Sequence, residues 1–268
     1  MKWLVVTPTL GVSPWLAETV ASVAALSGDH THMLVAPAEK GPSLRARFPH
    51  VLVTTEPGGG MYAAINTGLS AVSDWDAFTY LNDDDCLLPA FSQMVQQVAP
   101  RAAGRLIAYG GVKLIDRVGR RLGAIPVSPL PRLNRDLYAQ RIEPVYQHGT
   151  LVTRPALAQL GGFNSRLLFC GDSEFLARAC ITGVPFVRVT SRPVAAFRLH
   201  AGQLTKNRAV MRAERAAVDV QLDLRPRRIT GRHRFARWVF RTANLPIYAE
   251  RIARHGFVSF DEMLTRLG

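Results

Sequence analysis

Short apolar runs alternate with helix-period stretches through the first hundred residues. Lys2 to Thr7 reads as a buried strand, and Pro14 to Leu26 as a helix with Ser13 as its cap and Pro14 at its first position. His32 to Ala36 and Val51 to Thr54 read as further strands, Gly60 to Val72 as a helix, and Ala77 to Asn82 as a strand running into acid. This order is that of an α/β sheet wound with crossover helices. Leu106 to Val127 reads as extended chain around a turn at Gly119, and Tyr146 to Thr153 as a strand before a helix near Pro155. Beyond Lys206 the pattern is helical and polar. The expected organisation is one Rossmann-like domain over 1–205 with a mixed central sheet, followed by a helical basic appendage over 206–268. Within that domain a first half covers about 1–100 and a second 101–205.

Composition narrows the class. Of 268 residues, 48% are hydrophobic and 20% charged, the make-up of a packed globule with room for one large domain and an appendage. Cys86, Cys170 and Cys180 lack zinc-ligand spacing and read as reduced core thiols. The first apolar run is broken by Pro8 and is too short for a signal peptide, and no stretch approaches the roughly 18 apolar residues of a membrane span. A cytoplasmic protein is expected.

The net charge of +13 is unevenly placed. Up to Phe197 there are 18 Lys and Arg against 14 Asp and Glu, and after it 15 against 6. A nucleic-acid coat would spread over a binding face, so the excess reads as a basic appendage and no nucleic-acid partner is expected. Between Pro226 and Pro246 the chain from Arg227 to Arg241 carries no acid. On a helix Arg234, Arg237 and Arg241 align on one face and Phe235, Trp238 and Val239 on another, the spacing of an interfacial helix. Two readings follow. Phe235 and Trp238 dock the helix on the domain, or the segment holds the protein peripherally on the anionic inner face of the cell membrane. Gly231 weakens the helix in either case.

In open α/β sheets ligands bind outside the carboxyl ends of the strands, where Thr7-Pro8-Thr9 and Asn82-Asp83-Asp84-Asp85 both fall. Three adjacent carboxylates repel one another and call for a cation or full solvation. Mg²⁺ or Mn²⁺ fits such oxygen donors and shares its other positions with phosphate and water. The plainer alternative is a solvated turn with Asp85 capping a helix that starts near Leu88. Asp172 opens an amphipathic helix and is either a cap or a functional carboxylate. His200, before Gln203 and Thr205, is by itself a packing or surface histidine.

Together and in order, these segments resemble the family-two inverting glycosyltransferases, whose nucleotide-diphospho-sugar transferase fold is called GT-A. Glu56-Pro57-Gly58-Gly59-Gly60-Met61-Tyr62-Ala63-Ala64-Ile65-Asn66-Thr67-Gly68 is similar to that family's helix-opening G-I-Y-D-A-M-N-K-G stretch, and Tyr80-Leu81-Asn82-Asp83-Asp84-Asp85 to its F-L-N-x-D-D form of the D-x-D motif. The resemblance makes about 1–100 the donor half and 101–205 the acceptor half. Gln147-His148-Gly149-Thr150 with Leu160-Gly161-Gly162-Phe163-Asn164 resembles the segment closing the acceptor side, and Gly171-Asp172-Ser173-Glu174 the one carrying the base. The resemblance implies a nucleotide-diphosphate sugar as donor, held near Thr7, Pro8, Thr9, Tyr62, Asn66, Asn82, Asp83 and His200. It implies Mn²⁺ or Mg²⁺ on Asp84 and Asp85 with His200, and Asp172 as catalytic base with Glu174 as fallback. A glycan or lipid-linked sugar is the implied acceptor, in bacterial surface polysaccharide or glycolipid synthesis. The second strand ends at Ala36-Pro37 without the acid that often holds the nucleobase, leaving backbone groups or Glu39, and Ala63 and Thr67 replace Asp and Lys. Rival readings are a nucleotidyltransferase, which would carry a basic Gly-rich loop where Thr9-Leu10-Gly11-Val12-Ser13 stands, a nucleic-acid-binding protein, and a sugar-nucleotide binder without turnover.

Overall fold

The computed structural model describes residues 1–200, 208–226, 228–258 and 262. Gln203, Thr205, the 205/206 boundary and Arg227 lie outside the described residues. The fold begins with β1 (Trp3–Pro8), whose residues from Trp3 to Thr7 are buried. It pairs in parallel with β2 (His30–Ala36) and β4 (Ala77–Tyr80), and β2 with β3 (Leu52–Thr55). Strands covered on both faces need continuous apolar sequence, which is why this stretch reads as runs rather than alternation. The crossovers are α1 (Leu16–Ala24), α2 (Gly41–Arg47) and α3 (Met61–Ala71).

After β4 come β5 (Cys86–Leu87), α4 (Ala90–Val98), and the hairpin of β6 (Ile107–Ile115) and β7 (Arg121–Ile125), with Gly119 at positive φ in its turn. Then follow α5 (Asn134–Tyr138), β8 (Thr150–Thr153), α6 (Arg154–Leu160), α7 (Gly171–Ile181) and β9 (Phe186–Arg198). Among the described residues these strands form one curled sheet in the order β3-β2-β1-β4-β8-β6-β9-β5, with β7 on β6. β8 is antiparallel to both β4 and β6, while β9 is parallel to β6, so the sheet is mixed. The expected α/β fold is the observed one.

Register decides where a ligand can sit. Thr7 lies beside Leu34 and Val6 beside Tyr80, so the loops after β1 and β4 leave one edge together. Two local expectations are corrected. The residue capping α1 is Trp15, and the Ser13 hydroxyl instead donates to the Asp83 carbonyl at 2.9 Å. Asp85 does not cap α4, which follows Pro89; its carboxylate turns to β9 instead.

The C-terminal helices are α8 (Arg208–Gln221), α9 (Gly231–Ala243) and α10 (Leu245–His255). Thr230 caps α9 and shares a reciprocal capping box with His233, so Gly231 is the first helical residue and not an interior weak point. The α9 helix docks through Ala236 and Phe240 on Leu133 and Leu137. The docking read for Phe235 and Trp238 does not occur: they are 48% and 61% exposed. Polar ties reinforce this seat, with Arg232 on Asp136 at 2.9 Å and the Asn244 amide bonded to both the N–H and the carbonyl of Val127. No helix among the described residues is long and apolar enough to cross a membrane.

The α3 helix lies against β1 and β2 at Gly68, where a Cβ would stand 2.6 Å from Val6 Cγ1 and 2.9 Å from Val35 Cγ2. These methyls belong to stiff strand side chains and cannot turn away. Ala favours a helix over Gly by about 1 kcal/mol. Gly68→Ala nevertheless lowers stability by about 1–3 kcal/mol through overpacking. Urea denaturation reads this as a lower midpoint at unchanged slope; a raised midpoint overturns the packing argument.

Candidate active site

The acidic turn after β4 is built by hydrogen bonds from three directions. Thr9 donates its hydroxyl to Asp83 Oδ2, and Gly11 N–H donates to the same hydroxyl at 2.9 Å, fixing the loop after β1 over the turn. Asp85 is fully buried. Its Oδ1 accepts from the Arg198 N–H at 2.8 Å, while Oδ2 accepts from Asn82 Nδ2 at 3.1 Å and lies 3.2 Å from His148 Nε2. Asp84 is half-buried, and its Oδ2 is 2.7 Å from His200 Nε2. Trp15 packs on His200 with ring centroids 4.4 Å apart.

Arg198 holds this assembly from below. Its side chain is fully buried, donates to the Asp84 carbonyl at 2.8 Å and to the Asp116 carbonyl at 3.2 Å, and pairs with Glu18 at 2.6 Å. One buried guanidinium does not balance three carboxylates. Burial, then the charges of Asp85 and Asp83, push the Asp84 carboxyl up to about 8. Burial also raises Asp83. An added cation would relieve this stress, and Asp84 and His200 converge closely enough to hold one. Among the described residues no three His, Cys, Asp or Glu side chains gather as a metal cluster. The donors therefore fit an ion that takes two protein ligands and completes its shell with phosphate and water, the habit of Mg²⁺ and Mn²⁺.

A second carboxylate lies at the start of α7. Asp172 Oδ1 accepts from the Ser173 N–H at 2.8 Å and from the Tyr62 hydroxyl at 3.2 Å. Burial, then the charge of Glu143, raise its pKa above the ordinary carboxylate range. A small cavity lined by Tyr80, Gln147, Phe163, Asp172 and Phe175 joins this carboxylate to the end of β4. Between the two loci sits His148, packed on Phe197; burial alone would lower its pKa, but the charges of Asp85 and Asp172 prevail and raise it. Glu174 is different: both its oxygens accept from Arg178, at 2.7 and 2.9 Å, and that arginine also ties the Leu160 and Gly162 carbonyls.

The structure thus gathers Thr9, Asn82, Asp83, Asp84, Asp85 and His200 in one cluster, and Tyr62 with Asp172 in a neighbouring one. Pro8 follows Thr7, whose buried hydroxyl shares a hydrogen bond with His32 inside the sheet. Asn66 is occupied in packing: its amide donates to the Phe163 carbonyl and accepts from the Phe163 N–H, at 2.8 and 3.0 Å. Several contributors carry no local sequence signal. Glu214 of α8 accepts from the N–H groups of Leu168, Phe169 and Cys170 at 2.6–2.7 Å, immediately before α7. Arg215 bonds Glu143 at 2.8 Å, and Glu143 in turn accepts from the Ser173 hydroxyl at 2.7 Å. Arg198, two residues before His200, likewise carries no local signal of its role.

No family profile and no curated protein matches the sequence. Solved structures do match the fold. The chain is similar to S. aureus TarS, a glycosyltransferase, with a TM-score of 0.62 and 12% identity over 99% of this chain and 45% of that one. It is similar to TarS 1–349 in complex with UDP-GlcNAc, with a TM-score of 0.60 and 14% identity over 98% of this chain and 78% of that one. For TarS 1–349 in complex with UDP the TM-score is 0.57 and the identity 13%, over 98% and 77%. The chain spans less than half the length of the longer TarS chain. At this identity the likeness establishes the fold alone: the chain shares the mixed α/β, Rossmann-like fold of TarS.

Proposed function

We propose that the chain is a metal-dependent, inverting glycosyltransferase of the family-two, GT-A type, moving a sugar from a nucleotide-diphosphate donor to a hydroxyl of a glycan or lipid-linked acceptor in surface polysaccharide or glycolipid synthesis. One observation carries this reading. Two carboxylate loci, Asp84 with His200 and Asp172 with Tyr62, lie in neighbouring clusters near the end of β4, in a fold whose neighbours include complexes with UDP-GlcNAc and UDP.

Asp84 and His200 are the proposed protein ligands of a divalent cation, which when bound supplies positive charge against the diphosphate leaving group. Asp85, with both oxygens engaged by protein, holds Asn82, His148 and the β9 backbone in register around them. Asp83 and Thr9 close the loop after β1 over the same edge. On the acceptor side Asp172 takes the hydroxyl proton as the acceptor oxygen bonds to the anomeric carbon and the bond to the donor phosphate oxygen breaks. Tyr62 and the Ser173 N–H orient its Oδ1, and Glu143 raises its proton affinity.

Binding and transfer should separate by mutation. A thermal-shift panel of UDP, GDP, dTDP and CDP, each with and without Mn²⁺, is expected to show one nucleotide that stabilises the wild type only with metal. Asp84→Ala loses that stabilisation. Asp172→Asn keeps it while transfer falls by about 10²–10⁴-fold, the usual contribution of a positioned base. Metal-independent binding, or equal loss of binding in both variants, rejects the division of roles.

The raised Asp172 pKa fixes two signs. A base must be ionised, so kcat/KM falls on the acid side at a pH above the ordinary aspartate value of about 3.9. Glu143→Gln removes a neighbouring negative charge and moves that limb to lower pH. A carboxyl whose folded pKa lies above its unfolded value stabilises the fold at low pH, and that contribution is lost as pH rises through the folded pKa. Asp172→Asn is therefore more heat-stable than wild type at pH 7 even as its transfer rate falls. A melting temperature below wild type at pH 7 contradicts the electrostatic account.

A further inference from the structure

The docked C-terminal helices leave one surface without a protein partner. Between Asp223 and Glu250 the sequence has no acidic residue and seven arginines. Two of these are occupied, Arg225 by Asp219 and Arg232 by Asp136. Arg234, Arg237 and Arg241 are exposed, and no carboxylate pairs with them among the described residues. At roughly 100° per residue along α9, Arg237, Arg241 and Arg234 run on into Trp238 and Phe235, so cations and aromatic rings are adjacent stripes of one outward arc. The opposite side carries Ala236 and Phe240, the residues seated on the domain. Phe235 and Trp238 stack on each other at 6.1 Å and stay 48% and 61% exposed, and Ile229 and Leu245, just before and just after α9, are 47% and 59% exposed.

This is not how a solvated helix face is composed. A tryptophan beside a phenylalanine, flanked by arginines that no acid neutralises, matches an interface that is apolar within and anionic at its edge. A protein partner with an acidic rim would satisfy the arginines, but it would also have to cover two exposed aromatic rings, Phe235 and Trp238. A bilayer does both: the arginine stems can reach its phosphates while the rings enter the headgroup layer.

We propose that the outer face of α9, with Arg234, Phe235, Arg237, Trp238 and Arg241 at its centre, is a docking surface for an anionic lipid bilayer. Its position gives the contact a consequence. The α9 helix sits on Leu133, Asp136 and Leu137 at α5, and α5 packs on α7, which carries Asp172. The lipid surface then lies on the base side of the domain, and the acceptor hydroxyl is presented from a lipid-borne molecule. Only this last step rests on the proposed transfer reaction; the lipid contact stands apart from it.

Brominated-lipid quenching of tryptophan fluorescence tests the contact without any activity. Trp3 and Trp75 are buried and Trp15 is half-buried, so quenching by phosphatidylglycerol vesicles is expected from Trp238 and is lost in Trp238→Phe. Binding of the full chain rises with the anionic lipid fraction and falls with salt. Each arginine near such a surface strengthens binding by roughly fivefold, so reversing Arg234, Arg237 and Arg241 to Glu weakens it by roughly a hundredfold or more. Unchanged quenching in Trp238→Phe, or no binding to phosphatidylglycerol vesicles at low salt, overturns the proposal. So does tighter retention on single-stranded RNA than on vesicles, lost in the same triple variant, or concentration-dependent dimerisation that Trp238→Phe abolishes. Lipid binding without transfer to any lipid-linked sugar leaves the surface standing and removes the transferase reading instead.

Discussion

The burial of Asp85 with Arg198 is the constraint on which the candidate site depends. A carboxylate at the end of β4 and a guanidinium at the end of β9 are both removed from water, a combination whose desolvation cost is several kcal/mol per ion unless every lone pair and proton finds a partner. Here they do not simply face each other. Asp85 takes the Arg198 backbone N–H, whereas the Arg198 side chain reaches past it to the Asp84 carbonyl, the Asp116 carbonyl and Glu18. The two strand ends are thereby cross-stitched, and the short β5 pairs with β9 through Cys86 and Ala196 beside the stitch. Asp84 stands between them on a backbone held from both sides. Its carboxyl points to His200, the second residue after Arg198, because β9 is fixed at that register.

The same rigidity explains why the site carries electrostatic stress. Were the turn free to relax, Asp83 and Asp84 would move into solvent and ionise normally. Held in place, Asp84 has its carboxyl pushed up to about 8 and Asp172 is raised as well. Groups displaced in this way are found where charge is to be handled, though structural networks produce them too. What distinguishes this case is one buried histidine, His148, whose pKa is raised both by Asp85, the neighbour of Asp84, and by Asp172. Proteins that store such stress gain stability when it is removed by mutation, so stability and chemistry trade against each other at these positions.

How much of this was readable depends on whether the signal is local. Tyr80-Leu81-Asn82-Asp83-Asp84-Asp85 stands out because a buried apolar strand running into like charges is a conflict within six residues, and such a conflict needs a cause. The winding of β1 to β4 was legible for the same reason, as continuous apolar runs mark strands covered on both faces. The cap of α1 was misread because Ser13 has a competing acceptor, the Asp83 carbonyl, that is 70 residues away in sequence. Glu214 had no signal at all. It lies in an ordinary polar helix, and its three N–H donors are 44 to 46 residues upstream, so only the docked helix reveals it. Phe235 and Trp238 failed in the opposite sense. Helical spacing identified the amphipathic segment, but the small Ala236 and the deeper Phe240 make the seat, and spacing alone does not say which side of such a helix is turned inward.

The C-terminal helices are consequently more than an addition to the sheet. From α8, Glu214 gathers the three N–H groups before α7, and Arg215 restrains Glu143, which in turn holds Ser173 next to Asp172. From the start of α10, Asn244 closes onto the backbone of Val127 beyond β7. These contacts run through the half of the molecule that carries Asp172 and not through the half that carries Thr9 and Asp83. A displacement of α8 would therefore reach Glu143 and Asp172 before it reached Asp84. The charge imbalance follows the same division, since Glu214, Asp219 and Glu250 of the tail are engaged by N–H groups or by Arg141 and Arg121 of the domain, whereas Arg234, Arg237 and Arg241 face outward. An excess of positive charge on the outer surface is thus the complement of how the tail is fastened, and it places whatever that surface binds on the side of the carboxylate proposed to act on the acceptor.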